Sequence, residues 1–253
     1  MNEDQKPVVG KEEASKENIK PRRGIYLLPN LFTTGALFSG FYAVVAGMNS
    51  QFEAAAIAIF VAMVFDGLDG RVARMTNTSS AFGAEYDSLS DMVSFGVAPA
   101  LVTFSWVLGD IGKIGWFASF IYVAGAALRL ARFNTQIGSL DKRYFMGLPS
   151  PAAAASVAGL VWAATEYGVD PQPFAYLIAF YVALTGVLMV INALYYSFKD
   201  VDLKGKVPFV ILAGIVLLVG VISIEPSLFL WLLFLAYSIS GPMFWLWRKR
   251  KKA

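Results

Sequence analysis

The sequence predicts an all-α membrane protein, a polytopic helix bundle with about eight transmembrane helices. Three observations carry that prediction. Apolar types supply 57% of the 253 residues, Asp, Glu, Lys and Arg together only 15%, and mean hydropathy is +0.58; a soluble domain averages about 45–50% apolar and about 25% charged. The apolar residues gather into eight stretches, at approximately 31–48, 51–72, 86–108, 114–133, 150–167, 173–195, 207–224 and 227–247. Most approach the ~20 residues that a spanning helix requires. The charged residues, 21 basic and 18 acidic, collect between those stretches, with eleven of them in the first 23 positions.

Residues 1–24 are polar, mixed in charge and without apolar periodicity, and read as a cytoplasmic tail. They lack the apolar core and small-residue cleavage site of a signal peptide. Ile25 to Pro29 reads as a short interfacial segment before the first span. Pro29, Pro149, Pro151, Pro171, Pro173, Pro208 and Pro226 stand at span edges, where proline starts or stops helices. The run Ala152–Ala155 and the pair Gly35/Ser39 read as close helix-packing surfaces, and Trp245 and Trp247 beside Arg248 as an interfacial anchor.

An even number of spans places both termini on one side. With that side cytoplasmic, twenty of the 21 basic residues lie on or near it, and the outer connections retain only Lys113. That is the asymmetry expected of a membrane protein whose termini face the cytoplasm. The basic residues border apolar spans with no soluble domain to present them, so the expected partners are anionic membrane lipids and not nucleic acid. There is no Cys and no His. Disulfides, thiolate metal sites, thiol nucleophiles and imidazole bases are therefore excluded, and any catalysis rests on carboxylates, Lys, Tyr, Ser/Thr or bound metal.

Residues 66–91 resist a purely structural reading. Asp66, Asp69, Glu85, Asp87 and Asp91 flank one connection between two apolar spans, where a lipid-facing charge costs about 2.5–3.5 kcal/mol. Asp66 and Asp69 are three apart and Asp87 and Asp91 four apart, so each pair shares a helix face, whereas Glu85 lies off that face. Two adjacent antiparallel helices would bring the four aspartates together. Such an all-oxygen set suits Mg²⁺, Mn²⁺ or Ca²⁺. Gly67, Gly70 and Gly83 leave room for a bulky ligand near backbone, and Arg74 suits a phosphate. Residue spacing alone leaves three readings open: metal-dependent phosphate chemistry, an ion-coupled transport site, and a solvated charge cluster at helix ends.

The pattern Asp66-x-x-Asp69-Gly70-x-x-Ala73-Arg74, eight residues, then Gly83-x-x-x-Asp87-x-x-x-Asp91 resembles the full signature of the CDP-alcohol phosphotransferases. The resemblance implies an integral membrane enzyme with a six-helix core. Such an enzyme displaces CMP from a CDP-linked donor with an alcohol, uses two divalent cations (Mg²⁺ or Mn²⁺) and commonly forms a homodimer. It further implies that Asp66 and Asp87 bridge both metals, that Asp69 completes one metal shell, and that Asp91 binds the second metal and acts as general base. Asn30, Thr33, Gly70, Arg74 and Ser80 would contact the CDP moiety.

Three further stretches resemble the bacterial phosphatidylserine synthases of this superfamily: Pro29-Asn30-Leu31-Phe32-Thr33-Thr34, Leu128-Arg129-Leu130-Ala131-Arg132-Phe133-Asn134 and Gly147-Leu148-Pro149-Ser150-Pro151-Ala152. They imply CDP-diacylglycerol as donor and L-serine as acceptor. Arg129 and Arg132 share a helix face at the cytoplasmic end of a span, with Asn134 and Ser150 as polar neighbours. They are candidates for holding the serine carboxylate or the donor phosphate, and snorkelling to headgroups is the competing role. A glycerol 3-phosphate or inositol phosphate acceptor would suit the same arginines. The expected organisation is a polar tail over 1–24, a catalytic membrane core over 25–195 and two further spans with a basic end over 196–253. The expected location is the inner membrane, with the active site facing the cytoplasm.

Overall fold

The computed structural model describes residues 27–76, 78, 80–135, 144–196, 214, 217, 220 and 222–252. The tail over 1–24 and most of the apolar stretch 207–224 lie outside the described residues. Helix α1 spans Leu27–Met48, α2 Phe52–Thr76, α3 Ala81–Asp91, α4 Ala98–Trp106, α5 Lys113–Thr135, α6 Ser150–Glu166, α7 Ala175–Val190 and α8 Pro226–Lys252. A π-helical turn, Met92–Val97, joins α3 to α4, so that Ala81–Trp106 runs as one broken span.

Among the described residues, α1, the α3–α4 span, α5, α7 with its lead-in turn, and α8 are long and apolar enough to cross a membrane. Helix α6 has 17 residues, and α2 carries Glu53, Asp66 and Asp69. The charges that interrupt the apolar pattern of α2 are therefore those of the suspected site.

Small residues let the helices approach closely, as expected where no hydrophobic drive separates helix from lipid. Ala43 and Ala46 of α1 meet Ala55, Ala56 and Ile59 of α2 in one buried cluster. Helices α5 and α7 cross at Gly125 and Gly186: a Cβ on Gly186 would stand 2.6 Å from Tyr122 Cα. Helix α6 meets α8 at Gly159, where a Cβ would lie 3.0 Å from Trp231 Cα. The Ala152–Ala155 run is buried throughout, and Gly35 faces the Phe65 ring. Both surfaces expected to be close-packed are so.

Two boundaries differ from the sequence expectation. Residues from Leu27 already belong to α1, so 27–29 form the first helical turn and not a separate interfacial segment; Pro29 is tolerated there because first-turn N–H groups have no intrahelical acceptor. The expected span over 173–195 ends as a helix at Val190, and Leu194–Tyr196 pairs antiparallel with Tyr144–Met146. Both strands consist of apolar and aromatic residues, and a short apolar run does not distinguish buried helix from buried strand. Gly147, at φ +78°, turns the chain beneath this ribbon: its N–H donates to Ala193 O (2.8 Å), and a Cβ there would collide with the Met189 carbonyl.

At the end of the bundle away from the aspartates, a 3-10 turn (Leu108–Ile111) links α4 to α5. Tyr167 donates to Glu225 Oε2 (3.0 Å), and the Gln172 side-chain amide donates to Asp110. The opposite end gathers the C-terminus of α2, the start of α3, the C-terminus of α5, the ribbon and the start of α6.

Candidate active site

Helices α2 and α3 bring the acidic residues together from the two sides of a short connection. Carboxylate oxygens of Asp66, Asp69 and Asp87 all lie within 4.8 Å of one another. Asp91, one turn beyond Asp87, has Asp66 as a hydrogen-bonding neighbour and Asp87 and Arg129 as charged neighbours. Two carboxylates that close repel by about 3.5 kcal/mol at an effective dielectric near 20. Buried or half-buried as these are, the three acids could hold a hard, oxygen-seeking cation, and their all-carboxylate donor set fits Mg²⁺ or Mn²⁺.

Helix α1 positions one acid directly. The Thr33 hydroxyl donates to Asp69 Oδ2 (2.8 Å) and also lies 3.2 Å from Pro29 O. The Thr33 carbonyl accepts from the Ser90 hydroxyl of α3 (3.1 Å). Thr33 thus ties α1 to both aspartate-bearing helices. Thr34 and Tyr86 make a second α1–α3 link through their hydroxyls at 2.9 Å.

Beside the acids lies a cleft of about 220 Å³ lined by Asn30, Thr33, Gly70, Arg74 and Ser80, together with Asp69 and Asp87. The five residues implied by resemblance to hold the donor thus border one cavity that opens onto the aspartates. Ser80 caps α3, its Oγ accepting the Gly83 N–H (3.0 Å). A Cβ on Gly83 would stand 3.2 Å from that Oγ and 3.5 Å from Asn30 Oδ1, so glycine keeps the cleft floor low. At Gly70 the nearest atom to an added Cβ would be Arg74 Nη1, at 3.6 Å, so the guanidinium lies over bare backbone. The N-terminus of α3 also borders this cleft, through Ser80, Gly83 and Ala84.

The four residues considered for the acceptor divide into pairs. Arg129 Nη1 donates to Ser150 Oγ (2.8 Å), while its Nε is buried without a hydrogen-bond partner. Its charged and polar neighbours include Asp91, Asp66 and Tyr237 of α8. Arg132 Nη1 donates to Val190 O (2.8 Å) and Asn192 Oδ1 (3.2 Å), fastening α5 to the end of α7. Asn134 exchanges hydrogen bonds with Ser88 of α3, at 3.0 and 3.3 Å. Arg129 borders the acids with Ser150 as its partner; Arg132 and Asn134 hold neighbouring helices.

Sequence reasoning missed Ser88, Ser90, Thr78 and Tyr237. Ser90 and Ser94 recur at a four-residue spacing and mark the face of the α3–α4 span that meets α1, a signal that could have been read. Tyr237 could not have been read, because only packing of α8 against the ribbon brings it near Arg129. There Tyr237 donates to Tyr196 O (3.1 Å) and its ring sits 5.5 Å from that of Tyr195.

Comparison with known proteins supplies the family. The family model for CDP-alcohol phosphatidyltransferase matches residues 26–241, from just before α1 into α8. A Helicobacter pylori J99 protein named CDP-diacylglycerol–serine O-phosphatidyltransferase is 40% identical over 219 residues, covering 87% of this chain and 92% of the relative. A protein of the same name from Mycobacterium tuberculosis H37Rv is 33% identical over 229 residues, covering 87% and 79%. One from Methanocaldococcus jannaschii is 37% identical over 142 residues, covering 56% and 63%. With six of its eight signature residues, Asp69, Gly70, Ala73, Arg74, Gly83 and Asp87, lining one cleft and a family match over most of its length, the chain belongs to the CDP-alcohol phosphatidyltransferase family.

Proposed function

We propose that the protein transfers the phosphatidyl group of CDP-diacylglycerol to the hydroxyl of L-serine, giving phosphatidylserine and CMP. The observation that carries this reading is the convergence of an aspartate cluster, a cleft lined by Asn30, Thr33, Gly70, Arg74 and Ser80, and a buried arginine with an unpartnered Nε. The names of the relatives support serine as acceptor.

Asp66, Asp69, Asp87 and Asp91 would hold two Mg²⁺ or Mn²⁺ ions, whose charge offsets that of the diphosphate and of the departing CMP. Arg74, the bare backbone at Gly70 and Gly83, and the capped N-terminus of α3 orient the donor diphosphate. Asp91 takes the proton of the serine hydroxyl as its oxygen attacks the phosphorus that carries diacylglycerol. The bond from that phosphorus to the CMP oxygen breaks, and CMP leaves. Arg129, steadied by Ser150, meets the serine carboxylate, and this contact completes its hydrogen bonding. Arg132 and Asn134 keep the C-terminal end of α5 in register with α3 and α7 and so act through Arg129.

The distribution of basic residues supports an inner-membrane location with both termini and this cleft facing the cytoplasm. Residues 25–195 would form the catalytic core and 196–253 an addition that braces it, and the working unit would be a homodimer. The deciding experiment measures CMP release by the purified protein with CDP-diacylglycerol and Mg²⁺ or Mn²⁺, offering serine, glycerol 3-phosphate or inositol phosphate. Release with serine is expected. Release with glycerol 3-phosphate or inositol phosphate alone would overturn the acceptor, and substrate uptake into sealed vesicles without any CMP would overturn the enzyme reading.

A further inference from the structure

Pro99 stands inside an apolar span, and a proline at position i lacks the N–H that the carbonyl at i−4 accepts in an α-helix. Here that carbonyl belongs to Phe95, which is fully buried. The chain answers in two ways. The backbone widens into the π-helical turn Met92–Val97, with Ala98 N–H donating to Val93 O, five residues back. The Phe95 carbonyl takes a hydrogen bond from outside the span: the buried Tyr122 hydroxyl of α5 donates to it at 3.0 Å.

The turn begins at the residue after Asp91. In an unbroken α-helix, residue 98 would return to the face of Asp91, seven residues on. Accommodating one extra residue rotates the rest of the span by roughly 100°. As a result Ala98 and Val102 pack into the buried α1/α2/α6 cluster, while Asp91 keeps Asp66, Asp87 and Arg129 as neighbours. The turn is gripped on both sides. Ser94 donates to Ala36 O of α1 (3.0 Å), and a Cβ on Gly40 would come within 2.7 Å of Ser94 Cα. On the α5 side a Cβ on Gly96 would lie 3.1 Å from Ala126 Cβ.

We propose that Tyr122 is a positioning residue for Asp91: by donating to Phe95 O it stabilises the π-helical turn that aims the Asp91 carboxylate at the other aspartates. Tyr122 touches no substrate; it acts through the shape of the backbone. This rests on the reading of Asp91 as the base. Without the Tyr122 hydroxyl, Phe95 O competes for N–H groups within its own span, and the turn shifts register next to Asp91.

A matched control exists in α8, where Pro242 leaves the Ser238 carbonyl without its α-helical donor and Tyr195 donates to it at 3.0 Å. The test compares full-length Tyr122→Phe, Ser94→Ala and Tyr195→Phe in detergent or nanodiscs. Two readouts are taken: steady-state kinetics, and the Mn²⁺ concentration giving half-maximal thermal stabilisation without substrate. For Tyr122→Phe we expect kcat to fall about tenfold or more, KM for both substrates to stay within about threefold, and the Mn²⁺ midpoint to rise about threefold or more. Ser94→Ala should move the same two quantities in the same directions. Tyr195→Phe should lower Tm but leave kcat and the Mn²⁺ midpoint within about twofold, since the carbonyl it meets belongs to a helix that carries none of the aspartates. Tyr122→Phe with a lowered Tm but unchanged kcat and Mn²⁺ midpoint overturns the proposal. If that variant does not fold, an unchanged Ser94→Ala does so. An Asp91→Asn protein with near-normal kcat overturns instead the base assignment beneath it.

Discussion

Among the described residues, two spanning helices carry an internal proline, and they answer it differently. In the α3–α4 span Pro99 is accompanied by a π-helical turn; in α8 Pro242 is accommodated in a helix that remains continuous from Pro226 to Lys252. The local chemistry is the same in both. Each proline strips the donor from the carbonyl four residues earlier, and each carbonyl is met at 3.0 Å by a tyrosine hydroxyl from another segment, Tyr122 or Tyr195. In lipid an unmet carbonyl has no water to turn to, so such a partner is obligatory. What differs is the neighbourhood. The Tyr195 ring occupies the space left by Gly241, where a Cβ would collide with it, and α8 packs against the ribbon. The α3–α4 span lies between α1 and α5 with two aspartates just ahead of its proline, and there the backbone widens.

A proline in a spanning helix is therefore not a functional mark by itself; its position relative to charged side chains is. The largest expected effect tests the functional side of the comparison. Asp91→Asn keeps the size of the side chain and removes the base, so kcat should fall roughly 10²–10⁴-fold, measured as CMP release, while the protein stays folded. Next comes Arg129→Gln. Losing a charge-assisted contact worth about 1.5–3 kcal/mol should lower kcat/KM for serine about 10–100-fold and leave KM for CDP-diacylglycerol nearly unchanged. Equal loss for both substrates would move Arg129 to the donor side.

Smaller effects separate the two prolines. Pro99→Ala restores an N–H that competes with Tyr122 for Phe95 O, so kcat should drop about fivefold without a lower Tm. Pro242→Ala removes an interior proline from a helix that carries none of the aspartates. Activity should stay within about twofold and thermal stability should hold or rise, because a proline costs about 3 kcal/mol relative to alanine inside a helix. If both replacements are equally silent, the π-helical turn has no bearing on turnover and the contrast between the helices is only structural.

The candidate site was legible to different depths. The three- and four-residue spacings of Asp66/Asp69 and Asp87/Asp91 are enough to place each pair on a helix face, and three of the four acids converge within 4.8 Å. Asn30 and Thr33 came into view only through the family resemblance. Their place in the cleft depends on how α1 crosses α2 and α3, which no local pattern specifies. Arg129 and Arg132 are equivalent by spacing, yet one bonds Ser150 beside the acids and the other the end of α7. A rotation of three residues along α5 is enough to give them different partners. The ribbon of Tyr144–Met146 and Leu194–Tyr196 was illegible, since hydrophobicity reports burial and not backbone conformation.

By itself the sequence determined that the chain resides in a membrane, that its helices run about a bilayer thickness, and that any catalysis does without imidazole and thiol groups. These conclusions rest on composition and on periods of three and four residues, which are properties of a single helix. Only the tertiary structure decided which arginine stands beside Asp91, which hydroxyl meets the carbonyl orphaned by Pro99, and where the span turns. Those are contacts between residues 27 to 57 positions apart, such as Tyr122 with Phe95 and Ser90 with Thr33. They depend on how closely whole helices approach, and the glycines and alanines at the crossings set that distance.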